Sequence, residues 1–345
     1  MFRDRAVVAE GSRLRRIGPL AAPVGWGVVA AAWRVWCPLA REPGLPMRVA
    51  GSVVFLTVGI GLVLGVRCGL LRELARVRAV AEAAQQVLLR LPPPRIDGLA
   101  VAAGQLSAAR GAVVGGDLYE AAATPYGVRI VIGDVRGHGL AALGTVAALL
   151  GSFREAAHDE AELAGVLRRL ERALGRHLCE RAPEGHPVAE EFVTLLLLEI
   201  RPDGEIRALD CGHPGPYRIG GRRVEPLPVG EPLPPLGAFP LPAELAPYSA
   251  GRLLPGETLV LHTDGAEDAR DHRGRFFPLP AVLAGAAREA PAELVRQVHT
   301  ALLRHTGGRL ADDAALLVVR SDRVRVPAQP AEPGLRRTRP APSPR

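Results

Sequence analysis

The sequence predicts an α+β domain carried behind apolar N-terminal helices. Three observations lead to this reading. From Arg95 to Arg320, short apolar runs of strand length mix with longer runs of helical period. Two uncharged stretches of spanning length precede that region. Within it stand four acidic motifs, each at a strand end or in a turn: Asp117 in GGDLYE, Asp134 in GDVRGHG, Asp264 in HTDG, and Asp312-Asp313 before the last apolar run.

Taken in order, residues 1–16 form a basic tail with Arg3, Arg5, Arg13, Arg15 and Arg16. Residues 17–66 form a membrane region with two candidate helices, 17–33 and 49–66, the second free of Pro and the first interrupted by Pro19 and Pro23. A signal peptide competes for the first run, but it lacks a small-residue cleavage site and a second apolar run follows. The Arg clusters at 3–16 and 67–78 place both flanks on the cytoplasmic side, and those near the second span also suit an anionic leaflet. Residues 67–94 read as a linker helix, with Leu70, Leu71, Leu74 and Val77 at helical spacing and Pro92-Pro93-Pro94 as its stop. This helix either packs on its own domain or pairs with a second copy as a homodimer.

In the domain itself, 95–320, Val128–Val135 reads as a buried strand and Leu140–Ala157 as a Gly/Ala/Leu-rich helix. A charged amphipathic helix is expected over Glu160–Cys179, then strands at Phe192–Ile200 and Glu205–Asp210 joined by the turn Arg201-Pro202-Asp203-Gly204. Glu257–Thr263 is a further buried strand, Pro291 opens a helix to His305, and Ala314–Val319 is the last strand. Residues 225–250 are a Pro-rich surface loop, and 321–345 a Pro/Arg-rich disordered tail.

Composition excludes several function classes. All 43 basic residues are Arg and there is no Lys, so a Walker A loop, a kinase strand Lys and Schiff-base chemistry are ruled out. Residues 1–95 hold 14 Arg against 5 acids, whereas 96–320 hold 23 Arg against 29 acids. The folded domain is therefore acidic, the reverse of a nucleic-acid-binding surface, and no nucleic-acid partner is expected. Cys37, Cys68, Cys179 and Cys211 have neither zinc-knuckle spacing nor the Cys-x5-Arg pattern of a phosphatase nucleophile.

Asp134 follows Ile130-Val131-Ile132-Gly133, where a buried strand opens, and Asp264 repeats that design after Leu259-Val260-Leu261. A Gly-Asp or Asp-Gly turn alone is common. Four such motifs form a joint signal, because carboxylates gathered in one place need a cation to neutralise them. Oxygen ligands without a Cys/His set suit Mn2+ or Mg2+. Two such ions about 3.5–4 Å apart can activate a bridging water and clamp a phosphate. His138 is a candidate general acid for the leaving oxygen, or a loop histidine that only holds the turn. His213 and His262 read as structural.

The blocks GGDLYE, IGDVRGHGLAAL, FVTLLLLEIRPDG, DCGHPGPY, LVLHTDGAEDAR and DDAALLVV, in this order, resemble PPM-type (phosphatase 2C-like) serine/threonine phosphatases of the SpoIIE branch, membrane-anchored actinobacterial type. The resemblance covers about Gly98 to Arg320. It implies an αββα four-layer sandwich of two antiparallel sheets flanked by helices, with a di-metal site at one end. It carries metal-ligand roles onto Asp117, Asp134, the carbonyl of Val135, Asp264 and Asp312, with Asp313 as a further ligand or a loop-orienting residue. It implies a phosphorylated regulatory protein as substrate, typically an anti-anti-sigma factor. Glu120 and Asp268 depart from the family pattern but keep its charge. The phosphate-holding Arg of eukaryotic relatives has no evident counterpart, leaving Arg110 and Arg136 as candidates. A membrane signalling scaffold with a phosphatase-like fold and weak catalysis is the competing reading.

Overall fold

A computed structural model describes residues 25–33, 36, 45–107, 115–137, 139–181 and 191–323. The expected basic tail, His138, Arg110 and all but the first three residues of the Pro/Arg-rich tail lie outside the described residues. The chain divides into two units, Met1–Glu82 and Ala83–Arg345.

In the first unit, residues 25–33 form helix α1, and α2 begins at Leu45 and runs to Leu88 as one helix of 44 residues. The indole Nε1 of Trp26 donates to the Phe55 carbonyl at 3.1 Å, with the two rings 5.2 Å apart. Val49–Arg76 is long and apolar enough to cross a bilayer, and none of its most apolar stretch is buried. Sequence reasoning separated a span ending at Val66 from a linker helix starting at Arg67. The structure shows no break there. Nothing between Leu45 and Leu88 removes a helical hydrogen bond after the Pro46 at the start, and Arg67 joins the helix without interrupting it. The helix ends at Leu88, ahead of the Pro triplet, because Pro92 has no N–H to donate to the Leu88 carbonyl one turn back.

The second unit is built on two antiparallel sheets. The first holds β1 (Arg95–Ile96), β2 (Leu99–Leu106), β11 (Ala314–Ser321), β10 (Thr258–His262), β7 (Tyr217–Gly220) and β8 (Arg223–Pro226), in that spatial order. The second holds β3 (Asp117–Thr124), β4 (Gly127–Val135), β5 (Val193–Ile200), β6 (Glu205–Cys211) and β9 (Tyr248–Arg252). Helices α3 (Leu140–Asp159) and α4 (Leu163–Arg181) cover the second sheet, and α6 (Leu279–Gly285) and α7 (Pro291–His305) cover the first. Between them, the four-residue α5 (Asp264–Glu267) caps the end of β10. This is the αββα sandwich.

The strand patterns follow from that layering. In β11, Leu316 and Val318 face the α6/α7 layer, while Ala315, Leu317 and Val319 enter the core between the sheets. With both faces covered, an alternating strand reads as a continuous apolar run. α3 passes the same length and apolarity test as a membrane span. Its Val146, Leu149, Leu150 and Phe153 are instead buried in the core at helical spacing. The expected 201–204 turn forms, closed by Gly204 N–H donating to the Arg201 carbonyl at 2.9 Å with Gly204 at φ 87°. α7 begins at Pro291, where a missing N–H costs nothing.

Candidate metal centre

The four acidic motifs meet at one end of the sandwich. Asp117 opens β3, Asp134 lies near the end of β4, Asp264 follows β10, and Asp312-Asp313 precede β11. The β3–β4 register sets Asp117 directly opposite Asp134, so their side chains share one face of the sheet. Two like charges in that relation repel.

Glycine lets the motifs close on one another. A side chain at Gly116 would overlap the Val135 carbonyl oxygen and come within 2.9 Å of Asp134 Oδ1. One at Gly115 would overlap the Asp313 carboxylate, and one at Gly265 the Asp313 carbonyl. The GG before Asp117 and the G after Asp264 are therefore steric requirements of the convergence. The Val135 amide also donates to the Gly116 carbonyl at 3.1 Å, tying the two acidic turns together.

Electrostatics mark the cluster as strained in the absence of a counter-charge. Burial pushes the Asp117 carboxyl well above its ordinary range, with Asp134, Asp313 and Asp312 adding to the effect and a Thr263 hydrogen bond opposing it. Burial, followed by Asp264, Asp312 and Asp313, raises Asp134 to about 7. Asp264, at the solvent edge, is raised by partial burial and then by Asp312 and Asp268. No Arg pairs with Asp117, Asp134 or Asp264 among the described residues. This donor set fits hard divalent cations: carboxylate oxygens with the Val135 carbonyl beside them. Among the described residues, no group of three His, Cys, Asp or Glu is drawn tightly enough to grip an ion by itself.

A polar frame supports the acids. Thr263 Oγ1 donates to Asp117 Oδ2 at 3.1 Å. His213, buried at 5% exposure, sits between Thr194 Oγ1 at 3.1 Å and the His262 carbonyl at 3.1 Å. The carbonyl can only accept, so Nε2 carries the ring proton and Nδ1 accepts from Thr194. Burial lowers the His213 pKa to about 3, which keeps the ring neutral. His262 is fully buried and stacks on Tyr217 with ring centres 5.6 Å apart. Both histidines are structural, as their sequence contexts suggested. Burial pushes the Cys211 thiol up to about 12, so it is no nucleophile.

The structure also places two other residues singled out in the sequence. Glu120 is not in the cluster. It receives Arg154 Nε at 2.9 Å on both oxygens, and Arg154 Nη2 donates to the Leu88 carbonyl at 2.9 Å, fixing the end of α2 to α3. Arg136, a candidate phosphate ligand, lies over the Phe192 ring at 5.1 Å. The supporting role of Thr263 was missed. Its only sequence signal was its place beside Asp264.

Residues 124–322, more than half of the chain, match the family model of stage II sporulation protein E (SpoIIE). The chain belongs to the SpoIIE family. The matched region contains Asp134, Asp264, Asp312 and Asp313, and Asp117 lies seven residues before it. Among solved structures, this SpoIIE-family chain is similar to the SiaA-PP2C domain of Pseudomonas aeruginosa, with a TM-score of 0.58 and 18% identity over 73% of this chain and 98% of that one. It is also similar to the RsbU and RsbW domains of a Mycobacterium tuberculosis protein, with a TM-score of 0.52 and 24% identity over 68% of this chain and 62% of that one. The fold is that of the PP2C phosphatases. Family and fold together put the chain in the class of phosphoprotein phosphatases.

Proposed function

We propose that this SpoIIE-family chain is a membrane-anchored, Mn2+- or Mg2+-dependent phosphatase that removes phosphate from serine or threonine of a cytoplasmic regulatory protein. One observation carries the reading: carboxylates from four separate motifs converge, Asp117 and Asp313 of them buried, and among the described residues no Arg neutralises Asp117, Asp134 or Asp264. Asp117, Asp134, Asp264, Asp312 and the Val135 carbonyl would hold two ions, with Asp313 as ligand or loop anchor. Bound divalent ions supply Lewis acidity and an activated water at neutral pH. The chain's own residues fix the donor oxygens in place and keep Cys211 out of the chemistry. His138 is the candidate proton donor to the leaving oxygen.

The substrate is a phosphorylated regulator, with an anti-anti-sigma factor the first to test. An RsbW domain accompanies the RsbU domain in the Mycobacterium tuberculosis protein, which supports a regulatory phosphoprotein as the substrate. The apolar Val49–Arg76 helix and its flanking Arg support a membrane anchor with the domain on the cytoplasmic side. The exposed Leu70, Leu71 and Leu74 are a surface through which two copies would pair.

Manganese-dependent hydrolysis of a phosphoserine peptide by the purified chain, abolished in Asp134→Ala and Asp264→Ala, is the expected result. A second reading, a catalytically weak membrane signalling scaffold, draws support from the absence of a preformed three-ligand grip among the described residues. No turnover of any phosphopeptide or of nitrophenyl phosphate at saturating Mn2+ would favour the scaffold.

A further inference from the structure

Thr263 is fully buried at the junction of the two sheets. Its amide donates to the Ala315 carbonyl at 3.1 Å, and its Oγ1 lies 2.9 Å from the Ala315 nitrogen. Thr263 is thus held to β11 by two bonds, one to its backbone and one to its side chain. The Ala315 amide can only donate, so the hydroxyl oxygen accepts there. The single hydroxyl proton then goes to the other neighbour, Asp117 Oδ2, at 3.1 Å. Ala315 belongs to the first sheet and Asp117 to the second. The hydroxyl therefore passes the position of β11, and with it the Asp312-Asp313 turn, to a carboxylate on the facing sheet.

We propose that Thr263 is the positioning residue of the centre: it fixes the Asp117 rotamer, occupies Oδ2 as an acceptor and leaves Oδ1 as the oxygen that takes a cation. The proposal rests on the metal reading above and adds which residue sets the geometry of the first acid. Supporting partners of metal ligands orient them and raise affinity. A second cross-sheet bridge, Thr194 to His213 to the His262 carbonyl, ties the sheets through side chains that hydrogen-bond none of Asp117, Asp134, Asp264 and Asp312 among the described residues, although Thr194 stands opposite Asp134 in the β4–β5 register. It serves as the internal control.

The test uses the full chain in detergent and measures Mn2+ binding directly by calorimetry, beside hydrolysis and melting temperature. Thr263→Val keeps the shape and removes the hydroxyl. Its Mn2+ affinity is expected to fall about 10–100-fold, the usual cost of losing a supporting partner. Thr263→Ser keeps the hydroxyl and is expected to bind Mn2+ as the native chain does. In Thr263→Val, kcat at saturating Mn2+ is expected to change far less than the Mn2+ concentration needed for half activity. Thr194→Val is expected to lower the melting temperature while leaving Mn2+ affinity unchanged. Native affinity in Thr263→Val, or an equal loss of affinity in Thr194→Val, overturns the proposal. Should Thr263→Val fail to fold, a Mn2+-bound structure of the native chain decides: Asp117 bound through Oδ1 with Oδ2 still on Thr263 supports it, and Oδ2 on the ion overturns it. A native chain that binds no Mn2+ overturns the metal reading itself, whereas native binding with an unaffected Thr263→Val overturns only the role of Thr263.

Discussion

Strand β4 carries a fully buried and a half-buried charged residue five positions apart, and the chain treats them in opposite ways. Arg129 is fully buried opposite Glu199 in the β4–β5 register, with Nε 2.8 Å from Glu199 Oε2. Its remaining donors go to the carbonyls of Ala157 at 2.9 Å, Glu160 at 2.5 Å and Ala161 at 2.7 Å. That guanidinium is fully satisfied and locks the α3–α4 turn to the sheet. Asp134 is opposite Asp117, a like charge, and no basic group joins them among the described residues. A buried charge needs a partner of opposite sign and a full set of hydrogen bonds. Where the chain supplies both, as at Arg129, the site is closed and structural. At Asp134 the described residues supply no such partner, which supports the Asp134 end as the functional one proposed above.

The largest expected effect breaks the open cluster. Asp134→Asn removes a donor and a charge, and hydrolysis is expected to fall by at least about a thousandfold, beyond the roughly 10–100-fold cost of losing a supporting residue. The same variant relieves repulsion, so its melting temperature without metal is expected to rise. Glu199→Gln at the closed cluster is expected to do the reverse, lowering melting temperature with little effect on Mn2+ affinity. Opposite signs in a denaturation and activity series would uphold the comparison; equal signs would break it.

Next is the closed cluster itself. Arg129→Met strands Glu199 and is expected to cost about 3–5 kcal/mol, as for other halves of buried pairs. Arg129→Met with Glu199→Leu is expected to recover much of that. Denaturant unfolding measures both.

The third effect is the pH dependence of the metal-free fold. Asp117 and Asp134 have raised carboxyls, so the folded state binds protons more tightly than the unfolded chain does. Their stabilising contribution is complete below the unfolded value of about 3.9 and is lost as pH rises through about 7 for Asp134. Melting temperature in chelator is therefore expected to fall between pH 5 and pH 8, and Mn2+ is expected to restore it at pH 8. A flat profile in Asp134→Asn would assign the slope.

The smallest effect concerns Glu120. Its pair with Arg154 at 2.8 Å is partly exposed, so Glu120→Gln is expected to cost about 1 kcal/mol or less. A loss of Mn2+ affinity in that variant would place Glu120 in the centre after all.

The strands and the acidic motifs were legible in the sequence for a physical reason, whereas the four-layer arrangement came from the family resemblance. Strands covered on both faces, such as β4 and β11, leave long apolar runs, and acids at strand ends beside glycines leave short motifs. The paired Arg129 was not legible, because Arg129 and Glu199 are 70 residues apart and only the β4–β5 register brings them together. Thr263 was hidden for the same reason, since its partner Asp117 is 146 residues away. The expected span and linker helix run on as one α2, because a charge such as Arg67 does not interrupt a helix. Glu120 reads in the sequence only as a charge-keeping departure from the family pattern; alternation along β3 sets it three residues from Asp117, on the opposite face and toward Arg154.

The most direct measurement is proton release on Mn2+ binding, by calorimetry at pH 6 in buffers of different ionisation enthalpy. Carboxyls raised by burial and by one another must give up protons to take a cation, so saturable binding with net proton release is expected, diminished in Asp134→Asn. Binding without proton release, or no binding at all, would contradict the account.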